Sequence, residues 1–132
     1  MIAEVKRHQN HDMPVIIDMP PGTSCSFVEA AEGCDHVLLV AEPSPFGLHD
    51  LHCAVKALNI MEINYSVFVN RSTGSGIIDQ FCIDHGIPVS GHLAEDMRIA
   101  RSIADGKRII ETLPEYRQVF TDLWDSITGS LS

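Results

Sequence analysis

The sequence has little positive charge: 9 lysines and arginines stand against 18 aspartates and glutamates, giving a net charge of −9 over 132 residues. An acidic surface repels phosphate groups, which makes a nucleic acid or an anionic membrane a poor partner. The sequence also lacks any apolar run of roughly 18 residues, the length that crosses a bilayer as a helix. We therefore expect no nucleic-acid partner and no membrane span.

Closely spaced cysteines are also absent. Cys25, Cys34, Cys53 and Cys82 are far apart, and no Cys-x-x-Cys pair occurs. This spacing excludes a ferredoxin-type iron–sulfur cluster within the chain and weakens the case for a zinc ribbon, because both use clustered thiolates. The first eight residues are too charged for a signal peptide. Together these features predict reduced thiols in a cytoplasmic protein.

Apolar runs alternate with amphipathic stretches along most of the chain. The runs predict strands at residues 15–18, 37–41, 65–70 and 87–93. Helices are predicted at residues 2–10, 26–32, 48–60, 77–85, 94–105 and 115–128. This alternation is typical of a parallel sheet with helical crossovers. The sequence thus predicts one α/β domain over residues 1–132, with a parallel sheet of about four strands flanked by helices.

The segment at residues 15–24 reads Val-Ile-Ile-Asp-Met-Pro-Pro-Gly-Thr-Ser. Three branched apolar residues predict a buried strand, Asp18 stands where it ends, and Pro20-Pro21-Gly22 prevent its continuation. In open α/β sheets, ligands bind in the crevice at the carboxyl ends of the strands, which favours Asp18 as a site residue. An equally good interpretation is that Asp18 caps the following helix and that the prolines only shape the loop.

Residues 15–23 resemble the Walker B segment of the MinD/ParA/Mrp group of P-loop ATPases, which reads as an apolar run, Asp, any residue and Pro-Pro-Gly. The continuation to residue 30 is similar to the MinD-superfamily branch that carries an inserted ferredoxin-like domain. Residues 40–51 resemble the family's Val-Thr-Glu-Pro-Thr-x-x-Gly-x-x-Asp-Leu segment. Residues 68–71, which end in Asn-Arg, and residues 86–96 resemble two later segments, and all four follow the family's order.

The resemblance implies a site for ATP or ADP with magnesium. It implies that Asp18 binds magnesium through water, and that Asn70 reads the adenine ring. The other residues implied to contact the nucleotide are Pro20, Pro21, Gly22, Glu42, Arg71, Leu93 and Ala94. The cellular setting that it implies is the maturation or delivery of iron–sulfur or metal centres.

Two departures from the family limit the implied activity. The family's phosphate-binding loop, Lys-Gly-Gly-x-x-Lys-Ser/Thr, stands upstream of the Walker B strand, whereas the 14 residues before Val15 contain no glycine. No Gly-x-x-x-x-Gly-Lys-Ser/Thr occurs anywhere in the chain. In addition, Ala94 stands where the family usually has proline. We therefore expect the C-terminal half of a MinD-like ATPase fold that is not an independent ATPase, with Asp18 catalytic only if a P-loop is supplied in trans.

The family's P-loop strand lies between the Walker B strand and the next strand. Without that neighbour, residues 15–18 are expected to pair with 37–41 in a compacted four-strand sheet. The alternative is that a separate chain, or a second copy of this one, covers the gap, since unpaired buried backbone groups are costly.

Several smaller signals allow two interpretations each. Gly74-Ser75-Gly76 fits either a phosphate-cradling turn or a flexible loop. His49 and His52 fit either a metal site, with Asp50 nearby, or a solvated helix face. Cys25 fits either an activated thiol near a helix N-terminus or a small buried thiol.

At the level of the whole chain, two other functions remain as alternatives to nucleotide binding. One is a non-catalytic protein-interaction subunit, or a partner in a split ATPase. The other is a receiver-like signalling domain, because Ile-Asp-Met-Pro at residues 17–20 superficially resembles a phosphoacceptor strand.

Overall fold

The computed structural model describes residues 13–131. Three strands alternate with helices in chain order. The strands are β1 (Val37–Ala41), β2 (Tyr65–Ser72) and β3 (Val89–Ala94). The α-helices are α1 (Cys25–Ala31), α2 (Pro45–Met61), α3 (Ile77–His85), α4 (Met97–Ala104), α5 (Ile109–Thr112) and α6 (Arg117–Ser130), with a 3-10 turn at Pro114–Tyr116. The predicted helix at residues 2–10 lies outside the described residues.

The three strands form one parallel sheet in the order β1-β2-β3, and each crossover passes through a helix. This confirms the predicted α/β class with a parallel sheet flanked by helices. Because all three strands run the same way, their carboxyl ends meet at one edge of the sheet. No helix within residues 13–131 combines the length and apolar character needed to cross a bilayer.

Both faces of the sheet are covered at β2, which explains its almost continuous apolar run. Val67 and Val69 are buried on one face in a core formed with α2 and α3. Phe68 is buried on the other face with Leu93 and residues of α4 and α6. Burial within the first core, with a smaller contribution from Asp79, raises the pKa of the Cys82 thiol to about 11, so this cysteine is a protonated core residue.

The prediction of a strand at residues 15–18 is wrong. These residues are in no strand, and Val15 and Ile16 expose 49% and 82% of their surface. Among the described residues β1 pairs only with β2, so the compacted four-strand sheet is also wrong. An apolar run favours burial, but a strand must also pair with a neighbouring strand, and residues 15–18 pair with none of the three described strands.

The start of α2 is built tightly against the end of β1. Ser44 caps the helix by accepting a hydrogen bond from the Gly47 amide at 3.0 Å, and Pro45 occupies the first turn. A side chain at Gly47 would collide with the carbonyl oxygen of Glu42. The helix therefore begins three residues before the predicted position, and its first turn fixes the backbone of Glu42.

The later helices also differ from the predicted bounds. Strand β3 continues to Ala94, so α4 starts at Met97 rather than at residue 94. Helix α6 covers Arg117–Ser130 rather than residues 115–128. The short helix α5 was not predicted, because four residues show no helical periodicity.

Candidate functional site at the carboxyl ends of the strands

Each of the three strands brings one charged residue to the carboxyl edge of the sheet. Glu42 follows β1, Arg71 lies near the end of β2, and Glu95 follows β3. The Arg71 Nη2 donates to the Glu95 Oε1 at 2.9 Å, and its Nη1 lies 3.6 Å from the Glu42 Oε2. A single guanidinium thus bridges the ends of all three strands. We call this trio the carboxyl-end clasp.

The backbone at Arg71 is unusual. Its φ angle of 50° lies in the left-handed region, where residues other than glycine are uncommon. The pairing register between β2 and β3 also shifts between Val69 and Ser72, and the Glu95 amide donates to the Ser72 carbonyl at 3.1 Å. Irregularities of this kind re-aim side chains beside functional sites, and here the result is that Arg71 reaches both carboxylates.

The electrostatics of the clasp favour a neutral or cationic part of a ligand. The hydrogen bond to Glu95, followed by the charge of Glu42, raises the pKa of Arg71, so the guanidinium stays charged. Two carboxylates and one guanidinium leave a net negative charge, and all three side chains are exposed. Such a set accepts hydrogen bonds from hydroxyl and amino groups and repels phosphate.

Asn70 lies beside the clasp, in the half-buried position before Arg71. Within residues 13–131 no side chain forms a hydrogen bond to its amide. An amide carries both donors and an acceptor, so Asn70 is able to read the edge of a base.

The remaining residues implied by the resemblance are not joined to this group. Asp18, Pro21 and Gly22 are exposed in an irregular segment, and Pro20 is half-buried there. Within the described residues no hydrogen bond or ion pair links Asp18 to the clasp. The magnesium role of Asp18 stays a prediction, and Asp18 does not follow a buried strand in the structure.

Leu93 and Ala94 differ in their exposure to solvent. Leu93 is 7% exposed and packs with Phe68 and Ile99, so its side chain belongs to the core. Ala94, the last residue of β3, is exposed.

A hydrogen-bonded group after β3 was missed by sequence reasoning. Asp96 caps α4 by accepting from the Arg98 amide at 2.8 Å, and it also accepts from the Tyr116 hydroxyl at 2.7 Å. The Arg98 side chain bridges Asp96 and Glu115. These bonds, from Arg98 and then Tyr116, hold the pKa of Asp96 well below its usual range. The group ties α4 to the 3-10 turn and so fixes the segment that carries Glu95.

The structure also resolves the smaller sequence signals that allowed two interpretations each. Cys25 is the first residue of α1 and is exposed, which rules out the buried-thiol interpretation. Residues 73–75 form an exposed loop before Gly76 caps α3. In the part of the chain that the structure describes, no three His, Cys, Asp or Glu side chains are arranged to hold one metal ion, so the metal interpretation of His49 and His52, with Asp50 nearby, is not supported.

Comparison with known proteins supports the fold. No protein-family profile matches the sequence. A segment of 56 residues, 42% of this chain, is 39% identical to "Uncharacterized protein MJ0579" of Methanocaldococcus jannaschii, and the match covers 21% of that protein. The crystal structure of a ParA family ATPase from Chlorobium tepidum TLS is similar with a TM-score of 0.57 at 19% identity, over 80% of this chain and 46% of that one.

The chain therefore spans about a fifth of the curated relative and just under half of the ParA structure. At this level of identity the structural likeness shows the fold alone, which is similar to that of about half of the ParA family ATPase.

Proposed function

We propose that this chain is the base- and ribose-binding part of a ParA/MinD-like ATPase. The observation that carries the proposal is the carboxyl-end clasp with Asn70 beside it, at the edge where ligands bind to parallel sheets. The likeness to about half of a ParA family ATPase supports it.

The chemistry of each group suits the uncharged part of a nucleotide. Asn70 hydrogen-bonds the edge of adenine, and the flat guanidinium of Arg71 stacks on the ring. Glu42 and Glu95 hold Arg71 in place and accept hydrogen bonds from the ribose hydroxyls. The net negative charge of the clasp keeps the phosphates away from this end of the site.

The phosphates need a second part that these 132 residues do not encode, because no Gly-x-x-x-x-Gly-Lys-Ser/Thr occurs among them. In the proposal, a P-loop strand pairs with the outer edge of β1, which no strand occupies in residues 13–131. Asp18 then approaches the magnesium ion through water. Without that part, the 132 residues do not hydrolyse ATP.

Titration with a fluorescent ADP analogue, with and without magnesium, tests the base-binding role. We expect wild-type protein to bind ADP weakly, with little dependence on magnesium, and Asn70→Ala to weaken binding roughly tenfold. Asn64→Ala is the matched control, because Asn64 is an exposed asparagine at the opposite end of β2. The proposal fails if wild type binds no adenine nucleotide, or if the two variants bind alike.

A non-catalytic interaction subunit is the second candidate, and one observation favours it. On β1, whose outer edge pairs with no strand of residues 13–131, Val40 is 62% exposed. Surfaces of this kind are covered by partners. Absence of nucleotide binding together with a stable complex with a second protein would support this function. The setting in iron–sulfur or metal-centre maturation rests on the sequence resemblance alone.

The receiver-like alternative requires Asp18 at the end of a buried strand. Since residues 15–18 form no strand, we do not propose it.

A further inference from the structure

The outer surface of α2 carries an imidazole and a thiol one helical turn apart. His49 and Cys53 are four residues apart, and a helix places such residues next to each other on one face. The His49 Nε2 lies 3.7 Å from the Cys53 Sγ. His49 is exposed and Cys53 is half-buried, so the pair is open to solvent.

The separation of these two donor atoms matches a metal chelate. Zinc binds sulfur at about 2.3 Å and imidazole nitrogen at about 2.0–2.1 Å, which puts the two donors about 3.5 Å apart at a tetrahedral angle. The observed separation of 3.7 Å is close to that value. We propose that His49 and Cys53 form a binding site for a thiophilic transition-metal cation of the zinc(II) and copper(I) class.

Metal binding here involves no change of oxidation state. The Cys53 thiol releases its proton to solvent as the sulfur–metal bond forms, and the Nε2 lone pair of neutral His49 supplies the second bond. The contact between the thiol and the imidazole is replaced by these two bonds. Soft thiolate and borderline imidazole ligands select zinc and copper(I) over magnesium or calcium.

The proposed site is open. In the region that the structure describes, no third His, Cys, Asp or Glu joins the pair around one ion. His52 is engaged elsewhere, with its ring 5.6 Å from Phe81 and 6.2 Å from His85, centroid to centroid. A cation held by two protein ligands keeps further positions for water or for a donor from another molecule. Open coordination suits exchange of the metal, whereas structural zinc sites have four protein ligands.

The test uses the full chain with its thiols reduced. Zinc affinity is measured by competition with a chromophoric chelator, and Co²⁺ is titrated separately to detect the thiolate-to-cobalt absorption. We expect one zinc ion per chain at this site, and we expect His49→Ala and Cys53→Ser each to lower affinity roughly tenfold or more. Cys53→Ser also removes the cobalt–thiolate absorption. Circular dichroism shows whether each variant keeps the fold.

Two matched controls lie on the same chain. His52→Ala removes a neighbouring imidazole of α2, and Cys25→Ser removes an exposed thiol of α1. Both are expected to bind zinc within twofold of wild type. The inference is overturned if Cys53→Ser binds zinc as wild type does, if Cys25→Ser removes the cobalt–thiolate absorption, or if wild type binds zinc no more tightly than the double variant of His49→Ala and Cys53→Ser.

Discussion

The two ends of the sheet are each joined across all three strands by a chain of side chains, but the two chains differ in kind. At the carboxyl end the link is the charged, exposed clasp centred on Arg71. At the amino end the Ser90 hydroxyl of β3 donates to Ser66 of β2 at 2.7 Å, and the Ser66 oxygen lies 2.9 Å from the Nε2 of His36, just before β1. We call this second chain the amino-end relay. Its centre, Ser66, is 3% exposed.

This difference indicates that the amino end of the sheet contributes to stability and that the carboxyl end is available to a ligand. A hydrogen-bonded relay centred on a buried residue holds the strands in place, because losing Ser66 removes the shared partner of two half-buried groups, Ser90 and His36. The exposed ion pairs of the carboxyl-end clasp add little to stability, because water solvates their members when they separate. The amino-end relay is therefore structural, and the carboxyl-end clasp is free to exchange its internal bonds for bonds to a ligand.

The largest effect is expected from Gly47→Ala, which disturbs the backbone beneath the carboxyl-end clasp. The new methyl group would collide with the Glu42 carbonyl, so we expect a loss of about 3 kcal/mol in the free energy of unfolding. Urea denaturation measures it. Gly129→Ala in α6 is the control, because its methyl group meets no neighbouring atom, and it should cause no loss. Equal stability of the two variants would contradict the close approach at Gly47.

The second largest loss of stability is expected from breaking the amino-end relay. Ser66→Ala leaves the Ser90 hydroxyl and the His36 ring without their shared partner, and we expect a loss of about 2 kcal/mol in urea denaturation. Ser75→Ala, in an exposed loop, is the control and should change stability by less than about 0.5 kcal/mol. If Ser66→Ala matches the control, the relay is not structural.

A smaller loss of stability is expected when the pH falls. Partial burial lowers the pKa of His36 below its ordinary value of 6.5. As the pH falls through 6.5, the unfolded chain takes up the proton first, so the contribution of His36 is complete above this pH and is lost below it. Melting temperatures between pH 8 and pH 5, roughly the range in which histidine titrates, measure the loss. The melting temperature of His36→Asn should fall less steeply over this range than that of wild type. An identical fall in the two proteins would exclude His36 as the cause.

The smallest effect on stability is expected at the centre of the clasp. Arg71→Gly removes two exposed ion pairs but places a residue without strain at a φ of 50°. We expect no measurable change in the denaturation midpoint, together with weaker binding of the fluorescent ADP analogue. A clear drop in the midpoint would show that the clasp is structural after all, and the comparison between the two ends would no longer hold.

The strands at residues 37–41 and 65–70 were predictable because each is a compact apolar run bounded by turn residues, and each is found in the sheet. The signal at residues 87–93 is weaker, because Pro88 and Gly91 interrupt it, and most of this segment is also found in the sheet. Residues 15–18 carry the same signal and are not a strand. The pattern reports how apolar a segment is, but it contains no information about whether a neighbouring edge exists for it.

The candidate site was predictable in part. Glu42 and Arg71 follow apolar runs, so their positions at strand ends could be read from the sequence. Glu95 could not, because its approach to Arg71 depends on the register shift between β2 and β3 and on the left-handed backbone of Arg71. Both are tertiary properties. The contact between His49 and Cys53 needed only the helical spacing, but it was not among the predictions.

Because the outer edge of β1 pairs with no strand of residues 13–131, we expect the association of this protein in solution to depend on salt. Its sequence, Val-Leu-Leu-Val-Ala, has neither the proline nor the lysine that commonly keeps edge strands apart. The net charge of −9 supplies that repulsion at a distance instead. Salt at molar concentration shortens the range of this repulsion to about 3 Å, so concentrated salt favours edge-to-edge association that dilute buffer prevents.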